Sequence, residues 1–116
     1  MQSNYEKLIV WQKAVDLSVY IYKITANFPK EELYGLVSQI RRSSVSISSN
    51  IAEGAERNSK GEFKQFLGIA KGSAGELKTQ LIISHKLAYF SKEIFDDLIF
   101  KLQEILMMLS KLIYTL

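Results

Sequence analysis

Apolar side chains recur at alternating intervals of three and four residues along most of this chain. That period suits helices packed side by side and little else. Val10, Ala14, Leu17, Ile21, Ile24 and Phe28 form one such seam, with Trp11, Val15, Val19 and Tyr22 as a second apolar line beside it. Ile40, Ser44, Ile47, Ile51 and Ala55 form another, and its contact residues are partly small. Ile94, Leu98, Leu102, Ile105, Leu109, Leu112 and Leu116 form the last, widened by Ile99, Leu106 and Ile113. No segment alternates with a period of two, so no sheet is expected.

The boundaries follow from local chemistry. The first helix runs from about Glu6 or Leu8 to Ala26 and ends at Asn27-Phe28-Pro29, because proline disfavours helical geometry in the residue before it. The second is expected from Pro29 or Lys30 to Arg57, with Gly35 a weak point near its start. Ser59-Lys60-Gly61-Glu62 is a capping box that opens a third helix reaching about Tyr89. Ser91 caps a fourth, reaching about Tyr114, with Phe90 and Phe95 placed to staple its entry. Short connections make neighbours antiparallel. The expected fold is therefore all-α, an antiparallel up-and-down four-helix bundle in one domain, residues 1–116.

Residues 39–54, Gln-Ile-Arg-Arg-Ser-Ser-Val-Ser-Ile-Ser-Ser-Asn-Ile-Ala-Glu-Gly, carry the most specific signal. Serine is a middling helix former, yet serines stand among Val45, Ile47 and Ile51 at helical spacing, as small residues do where helices come close. Arg42, Ser46, Ser49, Asn50, Glu53 and Arg57 are assigned to the opposite, outer face. With Leu8–Ala14, Phe28–Leu36 and Phe66–Ser73, in that order, this segment resembles the four-helix-bundle proteins encoded in intervening sequences of bacterial large-subunit ribosomal RNA. These are related to the Avd accessory proteins of diversity-generating retroelements. The resemblance spans about residues 8–90 and is specific for fold. It implies a homo-pentamer, since the Avd relatives form pentameric barrels. Ser48 stands where the family often has proline, so the second helix should run straighter here.

Composition narrows the chemistry. There is no cysteine, and His85 is the sole histidine, so thiolate sites, His-cluster metal sites and paired-histidine acid–base chemistry are all excluded. The N-terminus lacks a signal-peptide pattern and no apolar run is long enough to span a bilayer, so a cytoplasmic protein with no membrane partner is expected. Lys71-Gly72-Ser73 resembles the tail of a phosphate-binding loop but lacks its leading glycine and preceding strand. Glu53, Glu56 and Glu76 could pair as carboxylates, but no Glu-x-x-His motif accompanies them. Glu93, Asp96 and Asp97 suit the positive end of a helix without any metal. Ser44 and Ser46 lack a base that would make either a nucleophile. No catalytic residue, cofactor or metal site is expected, and the chain does not read as an enzyme.

Two outer surfaces exceed what a solitary bundle needs. Phe100, Met107 and Tyr114 fall about 160–200° from the fourth helix's seam, in line at seven-residue spacing. They are expected to form a surface for self-association, although scattered surface hydrophobes are common. Positive charge, meanwhile, collects in the middle of the chain. Residues 41–90 hold eight basic and four acidic side chains out of a net +3 for the whole. Arg57, Lys64, Lys71, Lys78, His85 and Lys92 follow one another by sevens, with Lys60 one turn before Lys64. Gly61, Gly68 and Gly75 make their own seven-residue line, with Gly72 nearby. Each interior helical glycine costs about 0.8–1 kcal/mol against alanine, which suggests close approach by a helix or a ligand backbone.

The ladder reads either as a solvated flank or as a strip tracking a phosphate backbone. On the second reading Arg57, Lys60, Lys64, Lys71 and Lys78 contact RNA or DNA phosphates, supported by Arg41 and Arg42. The genetic settings of the resembling proteins favour it. The expected function is a non-enzymatic homo-oligomeric nucleic-acid-binding or scaffolding protein. The alternative is an adaptor that binds another protein through the fourth helix and no nucleic acid.

Overall fold

The computed structural model describes residues 4–116. The first residues of the segment read for a targeting signal lie outside the described residues. After one 3-10 turn at Tyr5–Lys7 come four helices: α1 (Ile9–Thr25), α2 (Leu36–Ala55), α3 (Lys60–Lys86) and α4 (Lys92–Thr115). No strand occurs among the described residues. Successive helices pack on one another, and α1 closes the ring against α4, which is the up-and-down bundle the periodicity predicts. The molecule measures 43 × 23 × 20 Å.

The seams fill the interior. Leu17 and Ile21 of α1 meet Ile40, Ile47 and Ile51 of α2, Leu67, Leu77 and Leu81 of α3, and Leu98, Leu102, Ile105 and Leu109 of α4. Small residues bring α2 and α3 closest. Gly54 is buried so tightly that an added Cβ would lie 2.6 Å from Phe66 Cβ. Ser46 and Asn50, assigned by sequence to the outer face of α2, are instead half-buried at this contact. The Ser46 and Ser73 hydroxyls are 2.8 Å apart, and the Asn50 side-chain amide donates to the Ser46 hydroxyl and carbonyl. Their displacement reflects the wide wedge of α2 that α3 covers: the buried stripe broadens where small side chains permit it.

The second helix starts later than the sequence predicts. Lys30–Glu32 form a separate 3-10 turn, and Gly35, at φ −110° and ψ −107°, breaks the path before Leu36. Glu32 repairs the break. One carboxylate oxygen accepts from the Leu36 N–H at 3.3 Å, and the other accepts from the Tyr89 hydroxyl at 2.8 Å. This bond to Glu32, more than burial, pushes the Tyr89 phenol pKa up. Phe28 plugs the same end of the bundle, 5.2 Å from the Tyr89 ring and 5.8 Å from that of Phe90.

The helix caps follow the sequence closely. The Ser59 hydroxyl accepts from the Glu62 N–H at 3.1 Å, and the Ser91 hydroxyl from the Ile94 N–H at 3.2 Å. The Glu62 carboxylate meets the Ser59 hydroxyl rather than its backbone N–H, so only half of the capping box forms. At the end of α3, Tyr89 N–H donates to the Ser84 carbonyl and Ala88 N–H to that of His85. This is a Schellman turn with Ala88, at φ 62°, where glycine is usual. α2 runs unbroken through Ser48.

Candidate nucleic-acid interface

A single helix positions most of the basic ladder. Lys60, Lys64, Lys71 and Lys78 all lie on α3, so Lys64, Lys71 and Lys78 follow one another at about 10.5 Å with only about 20° of drift. Among the described residues none of these four forms an ion pair. Lys60, Lys64 and Lys71 are exposed and Lys78 is half-buried.

The glycines lie beside them. By helical angle Gly61, Gly68, Gly72 and Gly75 occupy the strip next to the lysines, and all are exposed. A Cβ added at Gly68, Gly72 or Gly75 would meet nothing within 4 Å. The close approach that these glycines suggest is therefore not supplied by any helix of the same molecule. What α3 presents is a bare backbone strip edged by unpaired ammonium groups.

The arginines are placed otherwise. Arg41 turns toward α1, where its Nε donates to the Thr25 hydroxyl at 2.9 Å and its Nη2 to the Tyr22 carbonyl at 3.3 Å. Its guanidinium also lies 4.4 Å from the centre of the Tyr22 ring. Arg57 sits beyond the end of α2, 3.2 Å from Glu53 and 3.8 Å from Glu62, over the Phe66 ring. Both guanidinium groups are thus engaged within the fold. Arg42 is exposed on the outer face of α2. At the far end of the ladder His85 leaves the solvent strip to stack on Phe95 at 4.4 Å, and Lys92 begins α4, paired with Asp96.

The weaker sequence signals find structural uses. Lys71-Gly72-Ser73 lies in mid-helix with Ser73 buried against Ser46. Among the described residues no cluster of three or more His, Asp and Glu side chains could hold a metal. No described helix is long and apolar enough to cross a membrane.

The back of α4 stands clear of the bundle as its spacing predicts: Phe100, Met107 and Tyr114 are 67%, 72% and 90% exposed. A second apolar surface was only half legible. Val15, Val19 and Tyr22 were visible as a line on α1, but the structure adds Val45 and Ser48 of α2 to make a groove of about 520 Å³ with Ser18 in it. The missing signal is the rotation of α1 against α2, which no periodicity within one helix encodes.

No curated protein matches the sequence. Among solved structures, a protein of unknown function from the S23 ribosomal protein family of Bacteroides thetaiotaomicron is similar, with a TM-score of 0.85 and 26% identity over 91% of this chain and 96% of that one. The pattern of the 23S rRNA-intervening sequence proteins matches residues 6–111. The serine-rich close contact of α2 with α3, the four-helix bundle and this match agree: the chain belongs to the 23S rRNA-intervening sequence protein family.

Proposed function

We propose that this chain is a non-enzymatic, cytoplasmic, homo-oligomeric protein that binds nucleic acid along α3, electrostatically and with little dependence on sequence. The observation that carries the reading is the pairing of two strips on one 27-residue helix: unpaired lysines, and glycines that nothing in the protomer covers. Backbone phosphates need both positive charge and close approach, and this face offers both. Lys60, Lys64, Lys71 and Lys78 are the primary contacts. Arg42 extends the positive field, while Arg41 and Arg57 contribute charge without a free guanidinium. The family's name, drawn from ribosomal RNA, makes RNA the first ligand to try. Self-association through Phe100, Met107 and Tyr114, in five copies as the resemblance to Avd proteins implies, would repeat the strip around a ring and turn a net +3 per chain into a strong local field.

The test is RNA binding across a salt series. Binding whose logarithm falls linearly with log salt is expected, at a slope of about 0.7–0.9 per phosphate contact. Changing Lys64, Lys71 and Lys78 together to Glu should abolish binding and leave helicity and native mass unchanged. Undiminished binding by that variant, or no binding by the native chain at low salt, would remove this reading. The adaptor reading through α4 would then lead.

A further inference from the structure

We infer that the nucleic acid held by α3 is double-stranded RNA, with the outer crest of the helix set in its minor groove. This rests on the α3 binding proposed above and names the class of ligand that the binding takes. What decides it is how side chains are sorted around the outer half of α3.

At about 100° per residue, the buried residues of α3 gather on one side of the helix, and Gly61, Gly68, Gly72, Gly75 and Thr79 fall within about 40° of the opposite side. These five are exposed and form the crest. Lys60, Lys64, Lys71 and Lys78 occupy one flank, the one that continues to His85 and its stack on Phe95 of α4. Gln65, Ile69 and Glu76 are exposed on the other flank, toward Ser73 and its contact with Ser46 of α2. Positive charge therefore lines a single edge of a crest that is nearly all backbone.

That arrangement suits one form of nucleic acid. Single strands are held by joining a charged groove to aromatic rings on which bases stack. The outer half of α3 offers no ring, because Phe63 and Phe66 pack against Gly54, and Phe100 and Tyr114 of α4 are given above to self-association. B-form DNA presents a major groove about 8.5 Å deep and a minor groove about 6 Å wide. A crest without long side chains cannot reach the floor of the first, and a helix about 10 Å across cannot enter the second. The minor groove of an RNA duplex is wide and shallow, so bare backbone can touch its surface.

That surface also displays 2′-hydroxyls, which DNA lacks. A helical side chain covers the turn before its own Cα. Gly72 and Gly75 therefore leave uncovered the carbonyls one turn earlier, those of Gly68 and Lys71, each with a lone pair beyond its helical bond. An alcohol already uses such a carbonyl within the molecule: the Thr79 hydroxyl donates to the Gly75 oxygen at 3.0 Å. With 2′-hydroxyls on the crest, Lys64, Lys71 and Lys78 face the phosphates along one edge of the groove.

The test compares one sequence as an RNA duplex, a DNA duplex and a single RNA strand, bound by the native chain at one salt concentration. The RNA duplex should bind about tenfold tighter than either of the others, the worth of two hydrogen bonds. Gly68→Ala with Gly72→Ala places methyl groups on the crest where nothing lies within 4 Å, so helicity should persist. Without any change of charge, this variant should lose the preference and bind the RNA duplex no better than the DNA duplex. A single strand or a DNA duplex that binds the native chain as tightly as the RNA duplex overturns the inference and leaves α3 binding standing. A double variant that keeps the full preference also overturns it. If none of the three binds at low salt, the α3 reading itself falls, and this inference with it.

Discussion

The two sides of α3 spend small residues differently. On the side toward α2, Ala70, Ser73 and Ala74 are buried against a neighbour that carries its own small residues, and Gly54 leaves no room for a methyl group beside Phe66. On the outer side, Gly68, Gly72 and Gly75 face open space. The backbone cost of glycine is the same in both places. On the inner side it is offset by close packing of two helices. On the outer side nothing in the protomer offsets it. Small residues therefore mark an internal contact in one case and point outside the molecule in the other, and only the packing tells them apart.

Three substitutions probe that contrast. The largest effect belongs to Gly54→Ala. Its methyl group would press on Phe66 and Phe63, so the strain of overpacking, about 1–3 kcal/mol, should outweigh the helix-propensity gain. Urea denaturation should show a lower midpoint at unchanged slope. A more stable Gly54→Ala would mean that α2 and α3 can part without cost, and the contrast would fail.

Gly72→Ala with Gly75→Ala should do the reverse. Each has room for a methyl group and should stabilise the protomer by about 0.8–1 kcal/mol. If nucleic acid lies against this strip, the same double variant binds RNA more weakly although no charge has changed. Greater stability with unchanged affinity would confine the contact to the lysines.

The smallest effect is expected at Ala88, where the chain does the opposite and places alanine at a left-handed φ of 62°. Ala88→Gly relieves about 1–2 kcal/mol of left-handed strain and returns about 0.4–1 kcal/mol as added freedom of the unfolded chain. A net gain of about 1 kcal/mol in thermal or urea denaturation is expected. Glycine thus stands on α3 where no backbone angle needs it and is missing where one does, which separates the exposed glycines from any role in turning the chain.

Much of this was legible beforehand because it is local. Ser59 and Ser91 cap helices by bonding N–H groups three residues on, and the seams from Val10 to Leu116 declare their buried faces by period alone. The start of α2 was misplaced because Glu31 and Glu32 suit a helix N-terminus. The sequence does not show that Gly35 breaks the path and that Glu32 turns back to cap Leu36 and hold Tyr89. Of the site residues, the lysines of α3 lie where their spacing puts them, since one helix carries them all. Arg41 does not, because its partners, Thr25 and Tyr22, come from α1, and Arg57 is held both by Glu53, four residues before it, and by Glu62 and Phe66 of α3.

By itself, then, the sequence determined the four helices, the serine caps of α3 and α4, the bundle they form and the rows of lysine, glycine and large apolar residues along them. These depend on intervals within one helix, where 100° per residue sets every direction. Tertiary structure alone decided which rows meet. It showed that Ser46 meets Ser73 while Asn50 bonds to Ser46, that Arg41 is held by α1, that Val19 and Val45 share a groove beside Ser18, and that Gly68, Gly72 and Gly75 of α3 face open space. Those contacts join residues far apart in the chain, and the rotation of one helix against the next that creates them is set by how the side chains of both interlock.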